Sequence, residues 1–289
     1  MDLVIPVTIM SLTGLACAGI LAAAARFFAV HEDPRIEELT ALLPGVNCGG
    51  CGFAGCGDYA KAIVTAGAPV NLCGPGGASC AHALAGAMGL EALVAERRVA
   101  LILCGGDRTV APRRFLYNGV ADCVAAQAVD GGDKLCRHGC LGYGSCARIC
   151  PVGAIEIRAG QLAVVHPDLC IGCSQCVRTC PRGLIKMVPE GRTIHVLCSS
   201  KDKGPLVRKS CKVGCIACRA CIKLADNESI RMDGFLAVVD YTKALTNEQT
   251  VEKCPGKCII RRDLRLALSA LPTPTAAAAA VAPHEEAAA

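Results

Sequence analysis

Tryptophan is absent from the 289 residues, and aromatic residues make up only 3% of them. A core so short of large side chains needs another source of cohesion, usually disulfides or metal centres. Net charge is small as well, +5 over the whole chain, which is too weak to indicate a nucleic-acid partner. There is no CxxCH haem motif and no GxGxxG after a strand-like run, so neither c-type haem nor nicotinamide binding is indicated. The six histidines, His138 and His195 among them, show no ligand spacing. Charged residues at 19% and a mean hydropathy of +0.43 exclude wholesale disorder.

Cysteine is what the chain has in excess. There are 23, an odd number, and twenty fall between Cys48 and Cys221, many two or three residues apart. Disulfide frameworks rarely crowd thiols this way. Thiolates at such spacings suit soft metals or iron–sulfur clusters in a reducing compartment.

Residues 3–25 carry no charge, and Arg26 and Arg35 follow them. At 1.5 Å per residue the run is long enough to cross a bilayer core of about 30 Å. The positive-inside bias places the rest of the chain in the cytoplasm, giving a single-pass cell (inner) membrane protein. The competing reading, a cleaved signal peptide, lacks a basic n-region and would deliver the thiols to an oxidising space.

The chain therefore reads as α+β with five parts: a transmembrane anchor (1–30), a small iron–sulfur module with helices (31–98), a ferredoxin-like module with two clusters (99–190), a degenerate ferredoxin-like module with one (191–265), and a disordered Ala-rich tail (266–289). Ile36, Leu39 and Leu43 recur at helical spacing, and Leu84, Met88 and Leu93 form a second candidate stripe.

The strongest motif is Cys170-x2-Cys173-x2-Cys176-x3-Cys180-Pro181. Three close thiolates wrap one cubane, and the fourth, before proline, ligates the neighbouring cluster. Its upstream partner is Cys136, Cys140, Cys146 and Cys150-Pro151, where the regular register would place a ligand at Tyr143. Tyr is a poor cluster ligand, so Cys136 is the expected substitute, with Cys104 or Cys123 as alternatives. Crossed ligation then gives one cubane on Cys136, Cys140, Cys146 and Cys180, and another on Cys150, Cys170, Cys173 and Cys176.

A second copy follows. RHGCLGYGSCARIC aligns with KVGCIACRACIKLA, and the segment ending at Cys170 aligns with the one ending at Ala244. Cys215, Cys218, Cys221 and Cys254-Pro255 survive, while Ala225, Ala244, Asn247 and Thr250 stand at the other four positions. Crossed ligation assigns every loss to one cluster and none to the other, so this module is expected to hold a single cubane. The Gly-rich N-terminal module supplies Cys48, Cys51, Cys56 and Cys73, a spacing that zinc would also accept. Together the sets predict about four [4Fe–4S] clusters. Cys80 and Cys258 read as packing thiols, and Cys104, Cys123, Cys198 and Cys211 are left over, with Cys198 and Cys211 matching Cys104 and Cys136 in the repeat. Residues 201–223 carry seven basic side chains, Lys201 to Lys223, against Asp202. Such a run either steers an acidic partner or is a solvated face.

The anchor together with CGGCGFAGCGDYAKAI, NLCGPGG, GGDKLCRHGCLGYGSCARICPVGAI and CKVGCIACRACIK resembles the B subunit of the Rnf electron-transport complex, in its longer form, over nearly residues 1–260. The missing ligand set of the second module is a departure. The resemblance implies an electron-transfer subunit that exchanges single electrons with soluble ferredoxin. It also implies other membrane subunits, which carry the flavins and NAD site and couple redox to Na+ or H+ movement. The related Rsx system, which reduces a redox-sensing regulator, shares these motifs. A structural zinc protein is the rival from another class.

Overall fold

The computed structural model describes residues 4–28, 33–91 and 96–265. Leu93 and the tail from residue 266 lie outside that range. The uncharged run forms one helix, α1 (Val4–Phe27), with no buried residue. Its Thr8, Ser11 and Thr13 hydroxyls donate back to carbonyls of the preceding turn at 2.8–2.9 Å, so no polar group is left unsatisfied along an apolar surface.

Three helices follow: α2 (Pro34–Leu42), α3 (Cys56–Ala66) and α4 (Gly77–Met88). Asp33 caps α2, its carboxylate accepting from the Arg35 N–H at 3.0 Å, and Pro34 occupies the first turn, where no N–H is needed. Leu39, Leu43, Ile63 and Leu84 are buried together, with Ile36 and Met88 against them. Tyr59 is the one fully buried aromatic of this small core, and its hydroxyl donates to Pro69 O at 2.7 Å and accepts from Leu72 N at 3.1 Å. Burying such a side chain contributes roughly 1.5–3 kcal/mol.

The rest of the chain is one plan used twice. In the first half, β1 (Arg98–Ile102) pairs antiparallel with β4 (Ile185–Pro189), and between them lies the hairpin β2 (Ile155–Arg158) with β3 (Leu162–Val165). In the second half, β5 (Ile194–Val196) pairs with β8 (Ile259–Arg261) around the hairpin β6 (Ile230–Asp233) with β7 (Leu236–Val239). β3 and β7 even share the sequence LAVV. The N–H of Leu103 donates to Leu184 O at 2.7 Å, and the N–H of Leu197 donates to Cys258 O at 2.7 Å, so the correspondence extends to single bonds. Short β-branched strands leave each half a small aliphatic core, and cysteine thiols complete it: Cys140, Cys146, Cys170 and Cys176 in the first, Cys215 and Cys221 in the second. Without tryptophan, sulfur fills the middle.

Candidate metal centres

Three small apolar cavities are each lined by cysteines. Their shared apolar, sulfur-lined build suits one kind of occupant. The first brings together Cys150, Cys170, Cys173 and Cys176 between Ala100, Ile155 and Val165. The second brings together Cys215, Cys218, Cys221 and Cys254. The third holds Cys140, Cys146 and Cys180, and its fourth cysteine is Cys123. Cys136, the expected member of that set, is not among its lining residues.

Two local devices explain the exchange. Tyr143 turns its hydroxyl away to donate to the buried Asp133 at 2.8 Å, which leaves its loop position without a ligand. Cys123 opens a short helix (Cys123–Ala128) capped by Asp122, whose carboxylate accepts from Val124 N and Ala125 N at 2.8 and 3.1 Å. The Cys123 N–H donates to Ser145 Oγ at 2.7 Å, Ser145 donates to Asp122 at 2.6 Å, and Arg148 closes the latch at 2.7 Å. The Ser145 hydroxyl, then the two helix N–H groups, hold the Asp122 carboxyl down at about 2. Cys123 is thereby fixed next to Cys146. Nothing in the local pattern signals this, since the contact spans more than twenty residues without a repeat spacing.

The ligand loops share one backbone. Left-handed residues occur two and four positions after the first cysteine of each: Gly142 and Gly144, Gly172 and Ser174, Ala217 and Arg219. A Cβ on Gly142 would lie 2.0 Å from Gln161 O, so glycine is required there. Backbone N–H groups point at sulfur, from Ala100 to Cys170 at 3.5 Å, Ala154 to Cys150 at 3.3 Å and Leu184 to Cys180 at 3.5 Å. Such donors stabilise thiolate charge in a metal-bound cluster.

Burial pushes the Cys146 and Cys176 thiols up to about 12, and Cys140 and Cys221 to about 11. Loading these sites therefore displaces protons. Among the described residues no group of His, Cys, Asp or Glu is gathered tightly enough for a single ion. In the second half Cys258 stands where the first half has Leu184, lining the same wall, and its sulfur is 3.8 Å from Cys254 Sγ.

In the N-terminal module Cys51, Cys56 and Cys73 pack on one core, and the Gly50 N–H faces Cys48 Sγ at 3.4 Å. Cys80 is buried, its thiol donating to Leu42 O at 3.6 Å. This module abuts the first half through glycine. A Cβ on Gly50 would lie 3.1 Å from Cys173 O, and one on Gly74 would lie 2.9 Å from Gly172 O. Gln175 and Arg178 donate to Cys48 O across the same seam.

Two family descriptions match parts of the chain: "Putative Fe-S cluster" over residues 43–75, which holds Cys48, Cys51, Cys56 and Cys73 but not Cys80, and "4Fe-4S binding domain" over residues 163–186, which holds Cys170 to Cys180. The chain is 44% identical to the B subunit of the Na(+)-translocating ferredoxin:NAD(+) oxidoreductase complex of Acetobacterium woodii, over 89% of this chain and 77% of that one. It is 43% identical to the B subunit of the proton-translocating complex of Clostridium ljungdahlii, over 87% and 89% respectively. With the B subunit of the ion-translocating oxidoreductase complex of Methanosarcina acetivorans it shares 38% identity over 88% of this chain and 96% of that one. Aligned over most of its length with all three, and carrying iron–sulfur domains where the cysteines converge, the chain belongs to the B-subunit family of ion-translocating ferredoxin:NAD(+) oxidoreductase complexes.

Proposed function

We propose that this chain is the membrane-anchored electron wire of such a complex, passing single electrons between soluble ferredoxin and the other membrane subunits. It carries about four [4Fe–4S] clusters, on Cys48, Cys51, Cys56 and Cys73; on Cys150, Cys170, Cys173 and Cys176; on Cys123, Cys140, Cys146 and Cys180; and on Cys215, Cys218, Cys221 and Cys254. The observation that carries the reading is the convergence of cysteine quartets in cysteine-lined cavities, with the N-terminal module seated against the Cys170 loop. When bound, a cubane supplies one-electron transfer at a potential set by hydrogen bonds, charge and solvent exposure. The chain's own residues hold the thiolates, aim N–H groups at sulfur and exclude water with Ile102, Ile155, Val165 and Ile185. The helix Val4–Phe27, with Arg26 in its last turn, supports a single-pass anchor with the remainder in the cytoplasm.

One of these quartets is open. Cys218 is exposed, and Lys203, Arg208, Lys209, Lys212, Arg219 and Lys223 around it in sequence are exposed too. This face would dock an acidic ferredoxin and place it beside the one exposed quartet thiol. The chain purified without oxygen should show visible charge-transfer absorbance bleached by dithionite, with iron and not zinc as its metal. Reversing Lys209 and Lys212 to Glu should slow reduction by ferredoxin roughly tenfold at low salt and little at high salt. A colourless zinc protein overturns the function, and a rate unchanged at every ionic strength overturns the docking face.

A further inference from the structure

Seven of the 23 cysteines lie outside the quartets already described, and four of them, Cys104, Cys136, Cys198 and Cys211, sit where the two halves join. They are the two repeat-related pairs, and the fold brings them to the junction between the halves. The Gly105 N–H donates to Leu197 O at 3.0 Å, and Ser199 Oγ donates to Leu103 O at 2.9 Å. Residues 103 and 197, like 105 and 199, are repeat equivalents, so the two bonds are related by an approximate two-fold exchange of the halves. This lays the Cys104 and Cys198 segments side by side. The Lys212 N–H donates to Val110 O at 2.9 Å and brings Cys211 in beside Gly106. A Cβ on Gly106 would lie 3.0 Å from Cys211 Sγ, and Cys104 Sγ lies 3.7 Å from Gly106 O, so both thiols lie against the same residue. Cys136 lies within electrostatic reach of Cys104 and Cys211, and Cys198 within reach of Cys104.

Two further observations point to an anionic occupant. Lys134 is only 3% exposed, and its ammonium donates to Gly106 O and to Cys140 O. Among the described residues no carboxylate pairs with it, since the adjacent Asp133 is engaged by Arg108 and Arg113. A buried ammonium held only by carbonyls calls for a nearby negative charge. In addition, backbone N–H groups converge on the sulfurs with the same two-fold relation. Cys140 N donates to Cys104 Sγ at 3.3 Å, and its equivalent Cys215 N donates to Cys198 Sγ at 3.3 Å, joined by Ser200 N at 3.5 Å.

We propose that Cys104, Cys136, Cys198 and Cys211, two from each half, hold a further [4Fe–4S] cluster that joins the halves electrically. The proposal rests on the reading above that the quartets hold cubanes. Cys140 and Cys215, whose N–H groups donate to Cys104 and Cys198, are themselves members of the quartets on either side. Once bound, such a cluster would accept one electron from one neighbouring site and yield it to the other, so the electron count balances. No bond forms or breaks and no proton moves.

Iron and native mass on the full chain, purified without oxygen in detergent, test this. The proposal requires about twenty iron atoms per chain, five cubanes, where four would give about sixteen. Cys198→Ala and Cys104→Ala should each lose about four irons, or one by conversion to a three-iron form, while the signals of the other clusters persist. About sixteen irons in the unmodified chain, or a count unmoved by both variants, overturns the junction cluster and leaves the four-quartet reading standing. Loss of one zinc in place of iron overturns it as well. A chain with no iron at all overturns both. Should either variant fail to fold, the count on the unmodified chain decides.

Discussion

The two repeated halves share a strand plan and differ in what closes one lobe. In the first half, Cys150, Cys170, Cys173 and Cys176 line a cavity. At the equivalent positions of the second half, Asn247 Nδ2 donates to Leu224 O at 2.8 Å, and Asp226 accepts from Asn247 N at 3.0 Å and Thr246 Oγ1 at 2.9 Å. The buried Thr250 turns its hydroxyl onto Asn247 O at 2.7 Å, and Leu245 is buried beside the loop. A polar mesh and a leucine do there what metal–sulfur bonds would do in the first half. Hydrogen bonds therefore close in this lobe the loop that four cysteines line in its counterpart.

The comparison breaks most visibly at Cys254. A purely local reading leaves this residue as a spare thiol, because its motif neighbours are gone. Cys254→Ala should lose one cluster, seen as about four irons fewer or a three-iron EPR signal. Cys258→Ala, at the place of Leu184, should keep the full iron content. The opposite pattern would mean that the second-half site closes through Cys258.

Next in size is the mesh itself. Asn247→Ala should destabilise the second half by roughly 1–3 kcal/mol, because Leu224 O is left without its donor. The loss should be the same with or without iron. Stripping iron by chelation should instead abolish hydrogen-exchange protection around Cys150 and residues 170–176 while the Asp226–Asn247 loop keeps its own. Equal collapse of both lobes would show that the mesh is not self-supporting.

The halves also differ at one core site. His195 stands in the second half where Leu101 stands in the first, and both are fully buried. Desolvation lowers the His195 pKa from 6.5 to about 4, even though its ring faces Tyr241 OH at 3.1 Å and Arg262 O at 3.3 Å. The unfolded chain therefore binds more protons between those values, and stability contributed by the neutral ring is lost as pH falls from about 6.5 towards about 4. His195→Leu should flatten that part of the stability profile relative to the unmodified chain, measured by denaturant unfolding at several pH values.

The smallest effect concerns loop strain. Where the first half uses Gly142 and Gly144, the second uses Ala217 and Arg219, at φ 58° and 60°. Ala217→Gly should stabilise the second half by about 1 kcal/mol through relief of the left-handed penalty. Destabilisation would show that the alanine methyl packs more than its backbone strains.

Much of this architecture is legible in the chain. The repeat alignment pairs the same strands and loops that occupy equivalent places, and the charge-free run is one long helix. The helical stripe of Ile36, Leu39 and Leu43 packs as its spacing predicts. The place of Cys136, outside the cavity that Cys123 lines, is equally instructive. Proximity along the chain favours it, but its segment is drawn elsewhere, where Arg182 donates to Cys136 O at 3.2 Å and to Gln127 Oε1 at 2.7 Å. That arginine ties the Cys136 turn and the Cys123 helix to the loop after Cys180, and no residue spacing encodes such a clamp.

By itself the sequence determined the covalent spacing of thiols, and spacing decides which three cysteines can wrap a common centre, because a few residues of backbone allow only a few loop shapes. It likewise determined the left-handed glycines, the alternating strands and the apolar helix, all set by local sterics and hydropathy. The tertiary structure decided the rest: which distant thiol lines each cavity, which way Tyr143 turns, and that the Cys104 and Cys198 segments of the two halves lie side by side. Those outcomes depend on contacts between segments tens of residues apart, whose energies exist only once both segments are folded and packed together.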